Sequence, residues 1–450
     1  MFAFPQIGED TAKIYGESSG TIETFVSTAA APQSEPIPPS STTPPATGLR
    51  RIAAALTYRD FRVLWFGAFT STIGTWMQKV AQNWLVLTIT GTSSAFFLGL
   101  DSFLGELPIL LFTLVGGVVA DRYDRRRLLL TSQCVQMTAA FILAALVYAN
   151  VVHVWHVLAL SVLTGLAQAF GGPAYQSLLP SLVSKEHVPN AIAFNSIQFN
   201  LARVIGPLIA GSALAAFGMV ACFGLNGLSF LAVIAAILLL HIKHIPPKTT
   251  TRLHQELQSG FTFVRSHQAL VSLAVLGFAA TFLGNPLLTF LPLFAKNVFH
   301  GDVAQYTHLM SFAGAGAVTG ALVVAWLGKF PHMGRTLLII QVVLGLLITT
   351  FAITRLFWIN ALLLFGCGAG MVMVFAMLSS LVQLNAPNDM RGRVMSIYMV
   401  AFRGGMPIGS LVGGWLANMT SAPTVLTVNG VLLSLVAIWF LLKHPDVRTL

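Results

Sequence analysis

Apolar runs long enough to cross a bilayer follow one another from Phe61 to the C-terminus. A stretch such as FLAVIAAILLL at 230–240 leaves no polar face for water. About 20 residues of helix span a hydrocarbon core, and twelve stretches reach that length. They fall near 62–89, 94–120, 128–149, 154–180, 191–217 and 219–242, then 269–296, 304–328, 335–354, 357–385, 391–418 and 422–443. Only 9% of the 450 residues are charged and 55% are hydrophobic, against roughly 25% charged in a soluble domain. The solvent such a chain needs is lipid, and the expected class is an all-α integral membrane protein of twelve transmembrane helices.

Two segments stand apart. Residues 1–50 include APQSEPIPPSSTTPPATG and hold seven of the 21 prolines, the composition of a disordered tail. Residues 243–268 form a linker between two halves, 51–242 and 269–450. In it RLHQELQSGFTFV sets Leu253, Leu257, Phe261 and Val264 at helical spacing, which predicts an amphipathic helix on the membrane surface.

The net charge of +10 is explained by topology. With the N-terminus inside, twenty of the 25 Lys and Arg residues fall in the tail, the cytoplasmic loops or the C-terminus. Lys296 and Arg355 fall outside, and Lys79, Arg203 and Arg403 within spans. This asymmetry predicts cytoplasmic termini at both ends of a multi-pass inner-membrane protein, and it removes nucleic acid as a partner. Cys134, Cys222 and Cys367 are isolated in apolar runs, so no disulfide framework and no metal site is expected.

The halves echo one another. SIQFNLARVIGP (196–207) and SIYMVAFRGGMP (396–407) share Ser, Ile, Arg and Pro in register, each at the fifth span of its half. Two pseudo-symmetric six-helix bundles around a central site are the usual build of a secondary transporter.

Between spans two and three, GGVVADRYDRRRLLL (116–130) packs six charges into seven residues. Arginines alone would anchor topology, but the order of residues is more specific. Gly117, Asp121, Arg122, Arg125 and Arg126 resemble the signature loop of the major facilitator superfamily, with Asp124 where the general pattern has Gly. That variant, together with GTWMQKVAQNWLVL (74–87), LARVIGPLIAG (201–211) and NDMRGRVMS (388–396), is similar to the enterobactin-exporter and macrolide-efflux branch, the transmembrane secretion effectors. The resemblance covers about residues 57–443. It implies the major facilitator fold and alternating access, with Asp121 latching onto the start of span eleven near Arg391 and Arg393 while the inner side is closed. Gly206, Pro207 and Gly211 resemble the fifth-span pattern of proton-coupled exporters; ordinary small-residue packing is the simpler reading of the same residues.

Five ionisable residues lie at depth, where each costs roughly 2.5–3.5 kcal/mol on insertion scales, so a pairing or functional role is the default. Lys79 matches Asp101 in depth, and Glu106 matches Arg403 across the boundary between halves. Either pair is a static bridge, or Glu106 gains and loses a proton as the halves part. Arg203 and Arg403 suit an anionic substrate or a bridge between helices, whereas Asp101 and Glu106 suit a cationic one. By resemblance, spans one, four, seven and ten line the cavity. Their candidate contacts are Trp76, Gln78, Asn83, Gln168, Gln176, Asn285, Phe375 and Gln383.

No HExxH and no GxxxxGK[ST] occurs, which leaves an intramembrane metalloprotease or a built-in ATPase without support. The expected function is export of a small organic molecule of siderophore or macrolide type by proton antiport. The chain is expected to act as a monomer in the bilayer, with the proton gradient as energy source and no cofactor. A lysophospholipid-type flippase is the alternative within transport, and a receptor or scaffold that moves nothing is the alternative outside it. The topology is directly measurable: green fluorescent protein fused after Leu450 should fluoresce and alkaline phosphatase fused there should be inactive, and the reverse would refute cytoplasmic termini.

Overall fold

The computed structural model describes residues 53–91, 94–241, 261–328, 330–387 and 390–450, with Ala53 and Asp121 described in their backbone alone. The expected tail at 1–50 and most of the linker, including Leu253 and Leu257, lie outside the described residues. At the end of the linker, 261–266 is helical, with Phe261 exposed and Val264 buried. The described residues contain no strand.

The helices are α1 (Arg59–Thr90), α2 (Ser94–Arg122), α3 (Arg125–Tyr148), α4 (Val154–Leu178), α5 (Val188–Leu238) and α6 (Gln268–Gly284). They continue as α7 (Pro286–Leu293), α8 (Val303–Leu327), α9 (Met333–Ile353), α10 (Phe357–Asn385), α11 (Arg391–Met419) and α12 (Ala422–Lys443). Among the described residues nine helices are long and apolar enough to cross a membrane. Helices α1 and α11 are also long but do not meet that measure, because they carry the polar side chains that build the interior described below.

Two breaks shape the path. α5 is interrupted at Gly218, whose φ of 75° and ψ of −174° are non-helical and open to glycine without a Cβ penalty. Its two arms return to the same side. At one end His187 Nδ1 lies 3.0 Å from the Tyr58 hydroxyl, and at the other the Leu238 carbonyl accepts from Arg126 Nη2 at 2.7 Å. Between α6 and α7, Pro286 starts a new helix at Asn285, since proline supplies no N–H to continue the old one.

Helix pairing repeats itself along the chain. α1 packs on α5 as α11 packs on α6, α2 on α4 as α10 on α8, and α3 on α5 as α12 on α9. The halves then meet through two further pairs, α2 with α11 and α5 with α8. One end of the molecule carries Arg59, Arg122 to Arg127, Arg391, Arg393 and Lys443; we call it the basic end, and the opposite one the far end.

The crossing of α2 and α11 lies toward the far end and is closed by small residues. A Cβ on Gly99 would come within 2.3 Å of the Ser410 carbonyl, and one on Gly414 within 2.7 Å of the Ala95 carbonyl. Close backbone approach of this kind is how helices associate where lipid competes for every apolar contact. Gly99→Val should overpack the crossing, at a cost of about 1–3 kcal/mol. The purified protein should then melt at a lower temperature; an unchanged midpoint would argue against this crossing.

Candidate functional site: the polar interior between the halves

Helix α1 turns different polar residues toward different neighbours. At about 100° per residue, Gln78, Gln82, Lys79 and Asn83 spread across one side of it. Gln78 Oε1 accepts from Asn226 Nδ2 of α5 at 2.6 Å. Gln82 Nε2 donates to both carboxylate oxygens of Asp101 on α2, at 3.2 and 2.9 Å, and to Ser161 Oγ on α4 at 3.0 Å. Ser161 Oγ in turn donates to Asp101 at 2.5 Å. Asn83 Nδ2 reaches across to the Tyr306 hydroxyl of α8 at 3.0 Å.

Asp101 is therefore a buried carboxylate held by neutral donors inside the first half. The expected pairing with Lys79 does not form: no ion pair within 4.0 Å joins them, because Gln82, one turn further on, already fills the carboxylate. Lys79 is exposed and sits 5.7 Å from the centroid of the Trp76 ring. Arg203 of α5 approaches the same ring, with its guanidinium carbon 5.5 Å from the centroid. Trp76 is fixed edge-on against Phe199 at 5.9 Å, and its Cβ rests on Gly206.

The fifth-span glycines serve approach. A Cβ on Gly206 would meet the Trp76 Cβ at 2.5 Å, and one on Gly211 the Thr307 hydroxyl of α8 at 2.6 Å. Pro207 lies buried between them. Gly206 thus seats α1 within the first half, and Gly211 seats α8 of the second.

Hydrogen bonds that join the halves lie toward the far end. Besides Asn83 to Tyr306, Ser102 Oγ of α2 donates to Ser410 Oγ of α11 at 3.3 Å. Asn285 Nδ2 also donates to Ser410 Oγ at 3.0 Å, and Thr289 lies 3.2 Å from it. Trp84 stacks on Tyr306 at 6.2 Å between centroids. Glu106 lies one turn beyond Ser102 and one turn before Leu110, whose side chain lies 3.7 Å from where a Cβ on Gly404 would stand. It is half-buried and faces the same seam as Arg403, but the two form no ion pair within 4.0 Å. The expected bridge between Glu106 and Arg403 is absent in this conformation.

Other expected contacts divide. Phe375 packs edge-to-face on Phe402 at 4.7 Å, next to exposed Arg403. Gln176 is exposed near the basic end of α4, and Gln383 is exposed with its amide nitrogen on Ser379 at 3.2 Å. Gln78 is a correction, since it faces the second arm of α5 rather than the seam. So is Gln168, which accepts from Gln136 of α3 at 3.5 Å. Residues not singled out from sequence are Gln82, Ser161, Tyr306 and Ser410, and Tyr398, whose buried hydroxyl has no partner among the described residues. Gln82 was the legible one, because it lies three residues from Lys79 on the same face.

The arginines of the basic loop bond within the first half. Asp124 caps α3, its carboxylate accepting from the backbone N–H of Arg126 at 2.9 Å and of Arg127 at 3.3 Å. Such a cap is worth ~1 kcal/mol, which accounts for Asp where the general pattern has Gly. Arg125 donates to the carbonyls of Ala120 and Ser177, and Arg126 to that of Leu238. The run thereby ties the C-termini of α2, α4 and α5, where cations are favoured. Arg122 is exposed, and a Cβ on Gly117 would find open space. The Asp121 side chain lies outside the described residues. Arg391 bonds the Gln383 carbonyl at 3.1 Å and Arg393 the Met390 sulfur at 3.4 Å, both within the second half.

With this geometry in hand, likeness to known proteins is informative. Residues 52–448 match the family model described as transmembrane secretion effector. The chain is 26% identical to the staphyloferrin A transporter of Staphylococcus aureus over 81% of its own length and 91% of that protein's. It is 24% identical to macrolide efflux protein A of Streptococcus pyogenes over 84% and 94%. Among solved structures, a bacterial homologue of the human lysosomal transporter Spinster superposes with a TM-score of 0.69 at 13% identity, covering 87% of this chain and 96% of that one.

Gln82→Leu should leave Asp101 with Ser161 alone, at a cost of about 1–3 kcal/mol for a buried polar group that loses a partner. Thermal unfolding of the purified variant should show the loss, and Asp101→Asn in the same background should recover part of it. Equal stability of Gln82→Leu and wild type would remove this triad from the account.

Proposed function

The chain belongs to the transmembrane secretion effector family of the major facilitator superfamily, a family of membrane transporters and not of enzymes, and from that premise we propose that it exports a small organic molecule of siderophore or macrolide type by proton antiport. The observation that carries this reading is likeness over more than four-fifths of the chain, since relatives matched over more than nine-tenths of their own length are a siderophore transporter and a macrolide efflux protein. Fold likeness alone would not reach so far, because one transporter fold serves many substrates.

Alternating access supplies the mechanism. Polar contacts between the halves gather toward the far end, and the arginines of the basic end bond within their own halves. By the positive-inside distribution of charge the basic end faces the cytoplasm, so this conformation is open inward. Substrate enters from the basic end, the far-end seam parts, and the basic end closes behind it.

Glu106 is the proton carrier in this scheme. It sits on α2 between the two residues that meet α11, so its surroundings change as α2 and α11 separate. A carboxyl moved between a dry seam and an open, wet one changes its proton affinity, and that couples proton binding to the side that is open. Asp101, held by α1 and α4 of its own half, does not see that motion directly and serves to brace the half.

In acidified inside-out vesicles carrying an internal pH dye, adding a transported siderophore or macrolide should raise the internal pH. Glu106→Gln should abolish that rise while preserving binding. An equal response in the variant would refute Glu106 as carrier, and no response to any of a panel of such compounds in wild type would refute antiport of this substrate class.

A further inference from the structure

Two cations share one aromatic ring, and neither is hydrogen-bonded to an anion. Lys79 and Arg203 both lie within 6 Å of the Trp76 centroid, and among the described residues neither has a carboxylate or any other hydrogen-bond acceptor. An Arg guanidinium carries five N–H donors in a planar fork. Leaving it unsatisfied inside a membrane protein is costly enough that such a residue marks a functional site.

Both cations point toward the seam. In projection Lys79 falls between Gln82, which bonds α2 and α4, and Asn83, which crosses to α8 of the other half. Arg203 lies one turn from Phe199 and about 40° round from it, next to the face where Phe199 and Gly206 meet Trp76, and its own carbonyl lies 3.0 Å from where a Cβ on Gly314 of α8 would stand. Exposed Leu201 and Leu208 of α5 are turned about 140–160° away from it, as lipid-facing residues would be. Asp101 attracts Lys79 through space, but its oxygens are already hydrogen-bonded by Gln82 and Ser161.

We propose that Arg203 and Lys79, set on Trp76, form the anion-recognition subsite for the transported molecule, and that they take a planar carboxylate, including one borne on an aromatic ring. The inference rests on the export reading and sharpens it. The guanidinium fork matches a carboxylate bidentately, Lys79 adds a second positive charge, and the indole offers its face to a planar ring. A macrolide-type cation would meet two like charges here and no free acid, so the subsite selects against it. An anionic lysolipid presents the same charge, and competition separates the two sources.

The full chain in lipid nanodiscs would be titrated with citrate, 2,3-dihydroxybenzoate, erythromycin and lysophosphatidic acid by calorimetry. Wild type should bind citrate or dihydroxybenzoate, and Arg203→Gln should weaken that binding by at least about tenfold. Lys79→Gln, at an exposed position, should weaken it severalfold, and Arg203→Lys should fall between wild type and Arg203→Gln. Erythromycin binding should not weaken in any of them. The proposal is overturned if Lys79→Gln and Arg203→Lys bind the anions as wild type does. It is equally overturned if wild type binds erythromycin alone, or lysophosphatidic acid alone. Vesicle uptake of the bound probe tests the export reading separately. Anion binding that needs Arg203 without transport would sink export and keep the subsite, whereas transport that ignores Arg203 would sink the subsite and keep export.

Discussion

Lipid offers no hydrogen bonds, so a polar side chain carried into the hydrocarbon has to find its partner on another helix or face water inside the protein. That constraint arranges this molecule. Gln82 and Ser161 enclose Asp101 and thereby join α1, α2 and α4 into one block. Asn226 holds Gln78 and fastens the second arm of α5 to it. Ser410 gathers Asn285 and Thr289 in the second half and accepts Ser102 from the first. Bonds within a half are many and interlocked, while those between halves are single and lie toward one end. A structure built so can part along the seam without breaking either block.

The same reasoning accounts for the basic end. Helix C-termini present carbonyls without partners, and three of them converge where the arginine run begins. Arg125 and Arg126 satisfy those of α2, α4 and α5, and Asp124 satisfies the opposite need at the start of α3. Charges that look like a topology signal in sequence are structural clasps in three dimensions. They hold the first half together at its basic end, and Arg391 does the like for the end of α10 in the second.

How much of this was legible in the sequence follows from how local each signal is. Apolar runs and the loop motif are contiguous, so the helical class, the superfamily and the branch could be read directly. The break at Gly218 and the small-residue contacts at Gly206 and Gly211 were also written locally. Side-chain partners were not. Depth along a helix predicts which residues share a level, but not the angle at which each points. Lys79 and Asp101 were matched by level, yet Gln82 has the better angle to the acid and makes its hydrogen bonds, while Lys79 acts on it only through space and lies against Trp76. Gln78 and Gln168 were assigned to the cavity by the helix they lie on, whereas their rotation turns them toward α5 and α3. Ser161 and Tyr306 carry no sequence mark at all, since a serine or tyrosine in an apolar run is common and only its neighbour makes it matter.

Export by the proposed alternating access requires the two halves to exchange contacts at opposite ends. The direct test is a pair of spin-label distances in the full chain, with native cysteines replaced. One pair, at Arg127 and Gly392, reports on the basic end; the other, at Asn150 and Trp358, reports on the far end. Adding substrate across a change of pH should shorten the first distance and lengthen the second in the same samples. If both distances stay fixed, or move in the same sense, the halves do not rock about the seam and the account is wrong.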